Sequence, residues 1–502
     1  MRGLKTSVVK IRHEVFKEIA KIAYETETEK VNDAIESLPY KIIATEVPQY
    51  RESVWRERAI ISERIRLAMG LSLRPADKPV HITSGVDQSN ISDKYYEPPL
   101  MQVIPSACDQ CEDNVYEVSN QCRGCVAKAC VAACPKNAIK VVDGNTIIDR
   151  EKCIRCGRCK QACPYDAIAH KTRPCSQACG IKAIGTDELG RAKIDNDKCV
   201  ACGQCMVACP FGAVADKSQI FQLIQAIKKG DYVVAEVAPA IIGQFGSNVT
   251  LAQIKSALKD LGFKETYEVA RGADVGAATE AHEYVEKVLS GDLPFLLTSC
   301  CPSWAMLAKK QFPQLVDQVS QSLTPMVTTA RSIKQKLPNA RVVFIGPCAA
   351  KKLEASRTSV RSDVDFVITF EELAGMFAAK DIDFANYENN ADENEASGAG
   401  RGYAVAGGVA SAIEQCVREY YPSAEVKIEH AEGLEECKKI LLLAKLGKKN
   451  GCLIEGMGCP GGCIAGAGTN IAIEKAAAEV KKFVEQSKEK IPEKDLYEIE
   501  LP

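Results

Sequence analysis

The stretch QIFQLIQAIKKGDYVVAEVAPAI (Gln219–Ile241) is predicted as a helix followed directly by a buried strand. Gly230 separates the two halves, and apolar residues dominate the second. A helix that leads into a buried strand is the repeating unit of α/β proteins with parallel sheets. This stretch therefore predicts an α/β fold for the part of the chain that follows it.

The same alternation continues towards the C-terminus and predicts an α/β domain over residues 218–502. Further helix and strand patterns occur in NVTLAQIKSALKDLGFKETYEVA (248–270), RVVFIGPC (341–348), DVDFVITFEELAGMFAAK (363–380) and VKIEHAEGLEECKKILLLAKLG (426–447). We expect parallel or mixed sheets flanked by helices. The acidic piece YENNADENEASGAG (387–400) is predicted as a solvated loop.

Two further parts precede this domain. Residues 1–100 carry helical patterns such as VVKIRHEVFKEIAKIAY and WRERAIISERIRLAMG, but they contain no group of metal-ligating residues that would suggest a role. A proline-containing stretch, DKYYEPPLMQVIPSA, is predicted as a linker or an extended strap. Residues 101–217 are dense in cysteine, and we expect a separate α+β domain there.

The composition excludes several classes of protein. The 502 residues include 64 basic and 66 acidic side chains, and the net charge of −2 gives no electrostatic case for nucleic acid or anionic membranes as partners. No apolar run reaches the ~18 residues of a membrane-spanning helix, and the N-terminus lacks the features of a secretory signal. We expect a soluble, cytoplasmic protein, in which 24 cysteines are expected to bind metal rather than form disulfides.

Three four-cysteine runs, each followed by proline, dominate residues 101–217. They are Cys122-x2-Cys125-x4-Cys130-x3-Cys134, Cys153-x2-Cys156-x2-Cys159-x3-Cys163 and Cys199-x2-Cys202-x2-Cys205-x3-Cys209. Each resembles the run of bacterial ferredoxins, in which three cysteines hold one [4Fe-4S] cubane and the fourth ligates the neighbouring cubane. Zinc sites usually consist of paired CxxC knuckles without the fourth cysteine and its proline, so the runs favour iron.

Because the fourth cysteine is exchanged, the runs are expected to work in pairs and to conduct single electrons. The first two runs predict one cubane on Cys122, Cys125, Cys130 and Cys163, and another on Cys153, Cys156, Cys159 and Cys134. The half-run Cys175-x3-Cys179 completes the third run, with a cubane on Cys199, Cys202, Cys205 and Cys179. The remaining cysteines predict a fourth cubane on Cys108, Cys111, Cys175 and Cys209. Alternatively, this last group is a relic or a small separate site.

Three more cysteine segments lie in the C-terminal domain. TSCCPSW (298–304) follows the buried run LPFLL, GPCAAKKLE (346–354) follows RVVFI, and EGMGCPGGCIAGAG (455–468) is rich in glycine. Ligand sites in open α/β sheets lie at the carboxyl ends of strands, so the three segments predict one site with four thiolates. Because glycine has no Cβ, the third segment is predicted to lie against a large inorganic group.

In this order, the three segments resemble the signature motifs of [FeFe]-hydrogenases, and the resemblance covers roughly residues 100–475. It implies that a [4Fe-4S] cubane is bound by Cys301, Cys348, Cys459 and Cys463. The Cys463 sulfur would bridge to a two-iron subsite that carries carbon monoxide, cyanide and an azadithiolate. This cofactor, the H-cluster, would lie between two lobes of the domain. Lys351 would donate to a cyanide ligand, and Met457 and the turn Ala238-Pro239 would line the two-iron unit.

The resemblance also implies a proton relay beside the cofactor. Cys300 is not a ligand in this family but the relay thiol. Glu280 and Glu283 stand three apart on the predicted helix AATEAHEYVEK, hence on one face, and Ser320 matches the relay serine. The predicted path is Cys300, Glu280, Ser320, Glu283, and a solvated helix face is the alternative for either glutamate. His282 is not expected to take part, because adjacent helix positions point elsewhere.

Some positions depart from the family pattern and indicate a divergent subgroup. Gly346 stands where methionine usually precedes Pro-Cys, and it is expected to leave extra space or water at the two-iron site. Met326 stands where glutamine is frequent, and Ala467 interrupts a glycine triplet. Three cysteines match no motif and are predicted to be buried structural thiols, namely Cys416, Cys437 and Cys452.

The predicted function is that of a ferredoxin-type [FeFe]-hydrogenase, which interconverts H2 with two protons and two electrons. Electrons would pass through the accessory cubanes to a soluble carrier such as ferredoxin or flavodoxin, and maturation proteins would supply the two-iron unit. One alternative is a hydrogen or redox sensor, but such members usually carry a signalling domain and lose the relay cysteine. The other is an iron–sulfur assembly protein of the related eukaryotic branch, which generally lacks the full set of ligands and the lysine.

Overall fold

The structure is a computed structural model and describes residues 3–389 and 396–499. The centre of the acidic piece that was predicted as a loop, residues 390–395, lies outside the described residues. No helix within the described ranges combines the length and the hydropathy that crossing a membrane requires.

The first hundred residues form helices, as their sequence predicts. The helices are α1 (Ser7–Glu25), α2 (Val31–Ile42), α3 (Val54–Ala68) and α4 (Val86–Ser89). The hydroxyl of Thr6 caps the start of α1 by accepting from the Val9 N–H. Ile19 of α1 is fully buried in the same apolar cluster as Phe221 and Phe370 of the C-terminal domain. These helices therefore share a core with that domain.

The cysteine-rich part consists of short strands and one-turn helices. In chain order they are β1 (Met101–Val103), β2 (Val115–Val118), α5 (Ala129–Ala132), β3 (Ile139–Val142), β4 (Asn145–Ile148), α6 (Arg158–Ala162), β5 (Ile168–Lys171), α7 (Pro174–Gln177), β6 (Ile184–Thr186), β7 (Ala192–Ile194), α8 (Gln204–Ala208) and β8 (Val214–Asp216). Antiparallel pairs form between β2 and β5, β3 and β4, β1 and β8, and β6 and β7. This part thus has two halves, each with two strand pairs and two short helices.

The C-terminal domain alternates helices and strands. Its elements are α9 (Ile220–Lys229), β9 (Val233–Val237), α10 (Leu251–Asp260), β10 (Glu265–Glu268), α11 (Val269–Glu283), β11 (Leu296–Leu297), α12 (Pro302–Gln311), α13 (Pro325–Lys336), β12 (Arg341–Gly346), α14 (Ala349–Glu354), β13 (Phe366–Thr369), α15 (Phe370–Ala379), α16 (Gly398–Gly402), α17 (Gly408–Tyr420), β14 (Lys427–Glu432), α18 (Leu434–Lys445), β15 (Cys452–Met457) and α19 (Ile473–Glu485). The helix and strand predicted in the opening stretch are α9 and β9. The α/β prediction is confirmed.

The strands of this domain form two sheets, and all neighbouring strands in both are parallel. The first sheet has the order β10-β9-β12-β13 and the second the order β11-β15-β14. The loops after β9 and β12 leave the first sheet, and those after β11 and β15 leave the second. In parallel sheets the carboxyl ends of strands lie at one edge, which is where open α/β sheets place ligands.

A tryptophan joins two of these loops beneath the site. Trp304 is fully buried, and its indole N–H donates to the Thr298 carbonyl over 3.1 Å. Its ring lies so close to Gly456 that a Cβ there would stand 2.0 Å from it. Gly456, the first glycine of the third segment, is therefore required by Trp304, which ends the first segment.

Candidate metal centres

One cavity between the two sheets gathers five cysteines from three separate loops. Cys301 precedes α12 and Cys348 precedes α14, each just beyond a strand of a different sheet. The loop after β15 supplies the remaining ligand candidates. The cavity is lined by Cys300, Cys301, Cys348, Cys459 and Cys463. The predicted four-thiolate set and the predicted relay thiol are thus brought together.

The spacing of these side chains bears on which metal they fit. In the described ranges, no group of three or more His, Cys, Asp or Glu residues is arranged to hold a single metal ion. A zinc ion would draw four sulfurs to within roughly 4 Å of one another, since each Zn–S bond measures about 2.3 Å. Cysteines around an iron–sulfur cluster stand further apart, because several iron and sulfide atoms lie between them. The choice of a cluster over zinc rests on the cysteine runs and motifs.

The chemistry of the donor set also fits a cationic cluster. Burial raises the pKa of the Cys348 thiol to about 11, and it raises the pKa values of Cys459 and Cys463 well above the ordinary value of a thiol. Each of these thiols also feels the negative charge of its neighbours. Buried thiols of this kind become thiolates when a metal binds, and metal binding releases their protons.

Lys351 brings one positive charge to the wall of this cavity. Burial opposes the charge, but Glu354 raises the pKa of Lys351 above its ordinary value. The ammonium lies 2.6 Å from the Glu354 carboxylate, which also accepts a hydrogen bond of 2.9 Å from the Thr324 hydroxyl. An anionic group in the cavity would therefore meet a charged donor that is already held in place.

The glycines of the third segment have a second role besides the one that was predicted. A Cβ at Gly458 would lie 2.8 Å from Ser303, and one at Gly466 would lie 2.3 Å from the Pro347 carbonyl oxygen. Gly462 has a φ of +83°, and a Cβ there would lie 2.4 Å from a backbone nitrogen. All three glycines also line the cavity, as expected of a segment that lies against a bound group. They let the loop pack against neighbouring protein.

The prediction of extra space at Gly346 is wrong. A Cβ on Gly346 would lie 2.4 Å from the ring of Phe344, and that ring lines the cavity. Met457, Met326 and the Ala238-Pro239 turn line it as well. An aromatic ring thus occupies the room that Gly346 leaves. Sequence reasoning missed Phe344, although its position two residues before Gly346 on one strand face was a usable signal.

A buried carboxyl group lies close to this wall and was also missed. Glu236 is fully buried on β9 and pairs in register with Phe344 of the neighbouring strand. Within the described residues, neither of its carboxylate oxygens has a hydrogen-bond partner. Burial raises the pKa of Glu236 well above its ordinary value, while Lys351 lowers it. Burial without a hydrogen-bond partner thus disfavours the ionised form of this carboxyl group.

The predicted relay residues lie in contact with one another. Burial and the charge of Glu280 raise the pKa of the Cys300 thiol, so these two groups are neighbours. Glu280 accepts 2.9 Å hydrogen bonds from the backbone N–H and the hydroxyl of Ser299. The pKa of Glu280 is raised to about 7. Burial is the largest cause of this rise, and it outweighs the hydrogen bond from Ser320, which lowers the pKa. Sequence reasoning missed Ser299.

The outer end of this chain of contacts reaches the surface. The Ser320 hydroxyl donates to Glu283 over 2.6 Å, and Lys287 lies 2.9 Å from the other oxygen of that carboxylate. The Lys287 side chain is 43% exposed. Sequence reasoning missed this lysine, although a Glu and a Lys four residues apart on a helix are a recognised pair. His282 instead contacts Tyr421 over 2.7 Å and Glu286 over 3.0 Å, away from the relay.

Three further groups of cysteines line small cavities in the cysteine-rich part. Each group combines three cysteines of one run with the last cysteine of its partner run. The groups are Cys122, Cys125, Cys130 and Cys163; Cys134, Cys153, Cys156 and Cys159; and Cys179, Cys199, Cys202 and Cys205. These are the sets that the exchange of the fourth cysteine predicts.

The fourth predicted group is also drawn together. Cys108, Cys175 and Cys209 share one buried cluster, and Cys108 and Cys209 act electrostatically on both Cys111 and Cys175. The last cysteines of the three runs and of the half-run share one backbone geometry, which supports the same ligand role for all four. In each, the sulfur accepts a hydrogen bond of 3.2–3.4 Å from the backbone N–H of the residue four positions later. These cysteines are Cys134, Cys163, Cys179 and Cys209.

The third run lies directly against the cavity of the C-terminal domain. A Cβ on Gly203 would lie 2.4 Å from the Ala467 methyl group, so the two loops touch at that glycine. The Ser303 hydroxyl donates to the Val200 carbonyl over 3.1 Å. The cysteines that match no motif lie elsewhere and are buried, namely Cys416, Cys437 and Cys452.

Comparison with known protein families matches both parts of the chain. Residues 231–467 match the family described as the iron only hydrogenase large subunit, C-terminal domain. Residues 146–169 and 192–215 match the 4Fe-4S binding domain. These two short matches cover the second and third cysteine runs.

Individual relatives include hydrogenases and an iron–sulfur cluster assembly factor. Iron hydrogenase 1 of Clostridium pasteurianum is 31% identical over 396 residues, which cover 68% of each chain. The periplasmic [Fe] hydrogenase large subunit of Nitratidesulfovibrio vulgaris is 28% identical and covers 64% of this chain and 85% of its own. The cytosolic Fe-S cluster assembly factor NAR1 of Kluyveromyces lactis is 30% identical over 159 residues, 32% of this chain and 28% of its own. The motifs, the cysteine sites and these similarities together show that the chain belongs to the [FeFe]-hydrogenase family, whose members are iron–sulfur proteins.

Proposed function

We propose that this chain is a hydrogenase that interconverts H2 with two protons and two electrons. The proposal rests on a continuous chain of side-chain contacts that leads from the cavity to the surface. It runs from Cys300 through Glu280, Ser320 and Glu283 to the exposed Lys287. A protein that only stores or delivers clusters has no need of a proton path from its buried site. A hydrogenase needs one, because each turnover moves protons between that site and water.

The cavity residues fit the H-cluster in kind and number. Cys301, Cys348 and Cys459 would hold its cubane, and Cys463 would join the cubane to the two-iron unit. When bound, this cofactor supplies the iron at which hydrogen is formed or split. Lys351 would donate to an anionic ligand of that iron, and the apolar wall around Phe344 would exclude water.

The chain itself would move protons through hydrogen-bonded side chains. Cys300 exchanges a proton with the cofactor side, and Glu280 exchanges it with Cys300. Ser320 accepts from one carboxyl group and donates to the next, since a hydroxyl can do both. Glu283 and Lys287 then pass the proton to water. Ser299 holds Glu280 in position through two hydrogen bonds to one oxygen.

Electrons would travel through four accessory cubanes to a soluble carrier such as ferredoxin or flavodoxin. The third run touches the catalytic loops at Gly203 and Val200, and this contact supports a position for its cubane next to the active site. Proteins that assemble the two-iron unit are further expected partners. We propose the cytoplasm as the compartment, and cell fractionation would test it, since one relative is named as periplasmic.

Infrared spectroscopy of anaerobically matured protein tests the proposal. We expect bands from metal-bound carbon monoxide and cyanide, together with hydrogen evolution from reduced viologen. Bands without hydrogen turnover would favour a sensor. The absence of bands after maturation, with a matured hydrogenase as positive control, would favour the assembly role that the relative from Kluyveromyces lactis suggests.

Iron analysis tests the fourth accessory cubane. Four accessory cubanes and a six-iron active site correspond to about 22 iron atoms per chain. We expect Cys175→Ser to lower this number to about 18, because a serine oxygen is a poor substitute for a buried thiolate ligand. Cys416→Ser is the matched control, since it alters a buried thiol outside the clusters. An unchanged iron content in Cys175→Ser would refute the fourth cubane.

The pH dependence of turnover tests the relay. Burial raises the pKa of Glu280 to about 7, so the group is protonated below that pH and ionised above it. Hydrogen evolution needs the protonated form and is expected to fall about tenfold per pH unit above 7. Hydrogen oxidation needs the ionised form and is expected to fall below pH 7. Protein-film electrochemistry measures the currents of hydrogen evolution and of hydrogen oxidation separately. In Glu280→Gln, most of the catalytic current should be lost, and the dependence of both currents on pH should be lost with it.

A further inference from the structure

We propose that Gln204 raises the reduction potential of the active-site cubane by donating a hydrogen bond to the sulfur of Cys459. The Gln204 side-chain nitrogen lies 3.2 Å from that sulfur. A metal-bound thiolate has lone pairs but no proton, so only the NH2 end of the amide can face it. This inference rests on the proposed function, because it requires a cubane on Cys459.

The donor comes from the other part of the chain. Gln204 is the first residue of α8 and stands between Cys202 and Cys205, two predicted ligands of the third accessory cubane. It therefore touches a ligand of one cluster while it sits within the ligand loop of the next. Gln204 thus connects the predicted cubane of the third run to the predicted active-site cubane through one side-chain hydrogen bond.

The position of Gln204 is fixed by the packing of its loop. Gly203 has a φ of +74°, and the loop meets Ala467 there so closely that a side chain would not fit. Three residues earlier, the Val200 carbonyl accepts from the Ser303 hydroxyl over 3.1 Å. These two contacts hold the segment that leads into Gln204 against the catalytic loops. The Gly-to-Ala change at position 467 contributes to this contact.

The expected effect follows from the charge on the cluster. A reduced cubane carries one more negative charge than an oxidised one, and its ligand sulfurs share that charge. A hydrogen-bond donor to a sulfur stabilises the reduced form more, which raises the reduction potential. The burial of Cys459 strengthens this effect, because little solvent is present to screen it. Gln204 would thereby favour transfer of electrons from the accessory cubanes to the active site.

Potentiometric titration followed by EPR tests the inference. The full chain would be prepared with all its cubanes but without the two-iron unit. The midpoint potential of the active-site cubane can then be measured in the absence of turnover. We expect Gln204→Leu to shift the midpoint potential of that cubane to a more negative value. Gln204→Glu is expected to shift it further at high pH, because a carboxylate repels the added electron.

Arg158→Leu is the matched control. Arg158 stands between Cys156 and Cys159 as Gln204 stands between its two cysteines, but in the run that lies away from the catalytic loops. We expect this variant to leave the active-site cubane unchanged. An unchanged midpoint in Gln204→Leu, or an equal shift of every cubane, would overturn the inference. Absence of the active-site signal in the unaltered protein would instead refute the proposed function.

Discussion

Cys463→Ser is expected to remove the two-iron unit and to reduce hydrogen turnover by on the order of 10³-fold or more. The Cys463 sulfur is the one thiolate that would be shared between the cubane and the two-iron unit, and a serine oxygen cannot readily bridge two irons. Infrared spectroscopy should show no bands from carbon monoxide or cyanide after maturation. Viologen assays should show background activity.

Cys459→Ser provides the comparison for this variant. Cys459 lines the same cavity and has a similarly buried thiol, but it is proposed to ligate the cubane alone. We expect this variant to lose cubane stability while it retains detectable bands. Equal and complete loss of bands in both variants would contradict the distinct role of Cys463. Full activity in Cys463→Ser would contradict the assignment of the site.

Cys300→Ser is expected to keep the cofactor and lose the proton path. General acid–base groups typically contribute about 10²–10⁴-fold to rate, and we expect a loss in that range. The serine hydroxyl fits the space of the thiol, but its far higher pKa makes it a poor proton carrier. Infrared bands should persist, and the loss should appear in both directions of turnover on an electrode.

Cys416→Ser serves as the control for this change also, because its thiol is buried but touches neither the cavity nor the relay. It should keep both bands and activity. If Cys300→Ser turned over at the rate of the unaltered protein, protons would have to leave by another route. The buried carboxyl of Glu236, which pairs in register with Phe344 of the cavity wall, would then be the first group to replace.

Much of the site could be predicted because its signals are local in sequence. The spacing within each cysteine run, and the proline after it, predicted which cysteines share a cavity. Cys301 and Cys348 follow strands of different sheets, and the general placement of ligands at the carboxyl ends of strands predicted that both lie at a ligand site. The separation of Glu280 and Glu283 by three residues predicted that they share a helix face.

The rest depends on contacts between segments that are distant in sequence. Gln204 and Cys459 are 255 positions apart, and nothing near either residue indicates the other. The burial of α1 against the C-terminal domain likewise depends on a surface that forms only after folding. The packing role of the glycines was not predicted, because a missing Cβ does not reveal which protein neighbour it makes room for. Only the packed structure shows that the neighbours are Ser303 and Pro347.

The ring of Phe344 over Gly346 also limits how this protein can change over evolutionary time. The two residues lie on the same face of β12, and a single methyl group on residue 346 would collide with the ring. A larger residue at 346 therefore requires the ring of Phe344 to move or residue 344 to become smaller. The two positions are thus expected to vary together, as one inherited unit of the cavity wall.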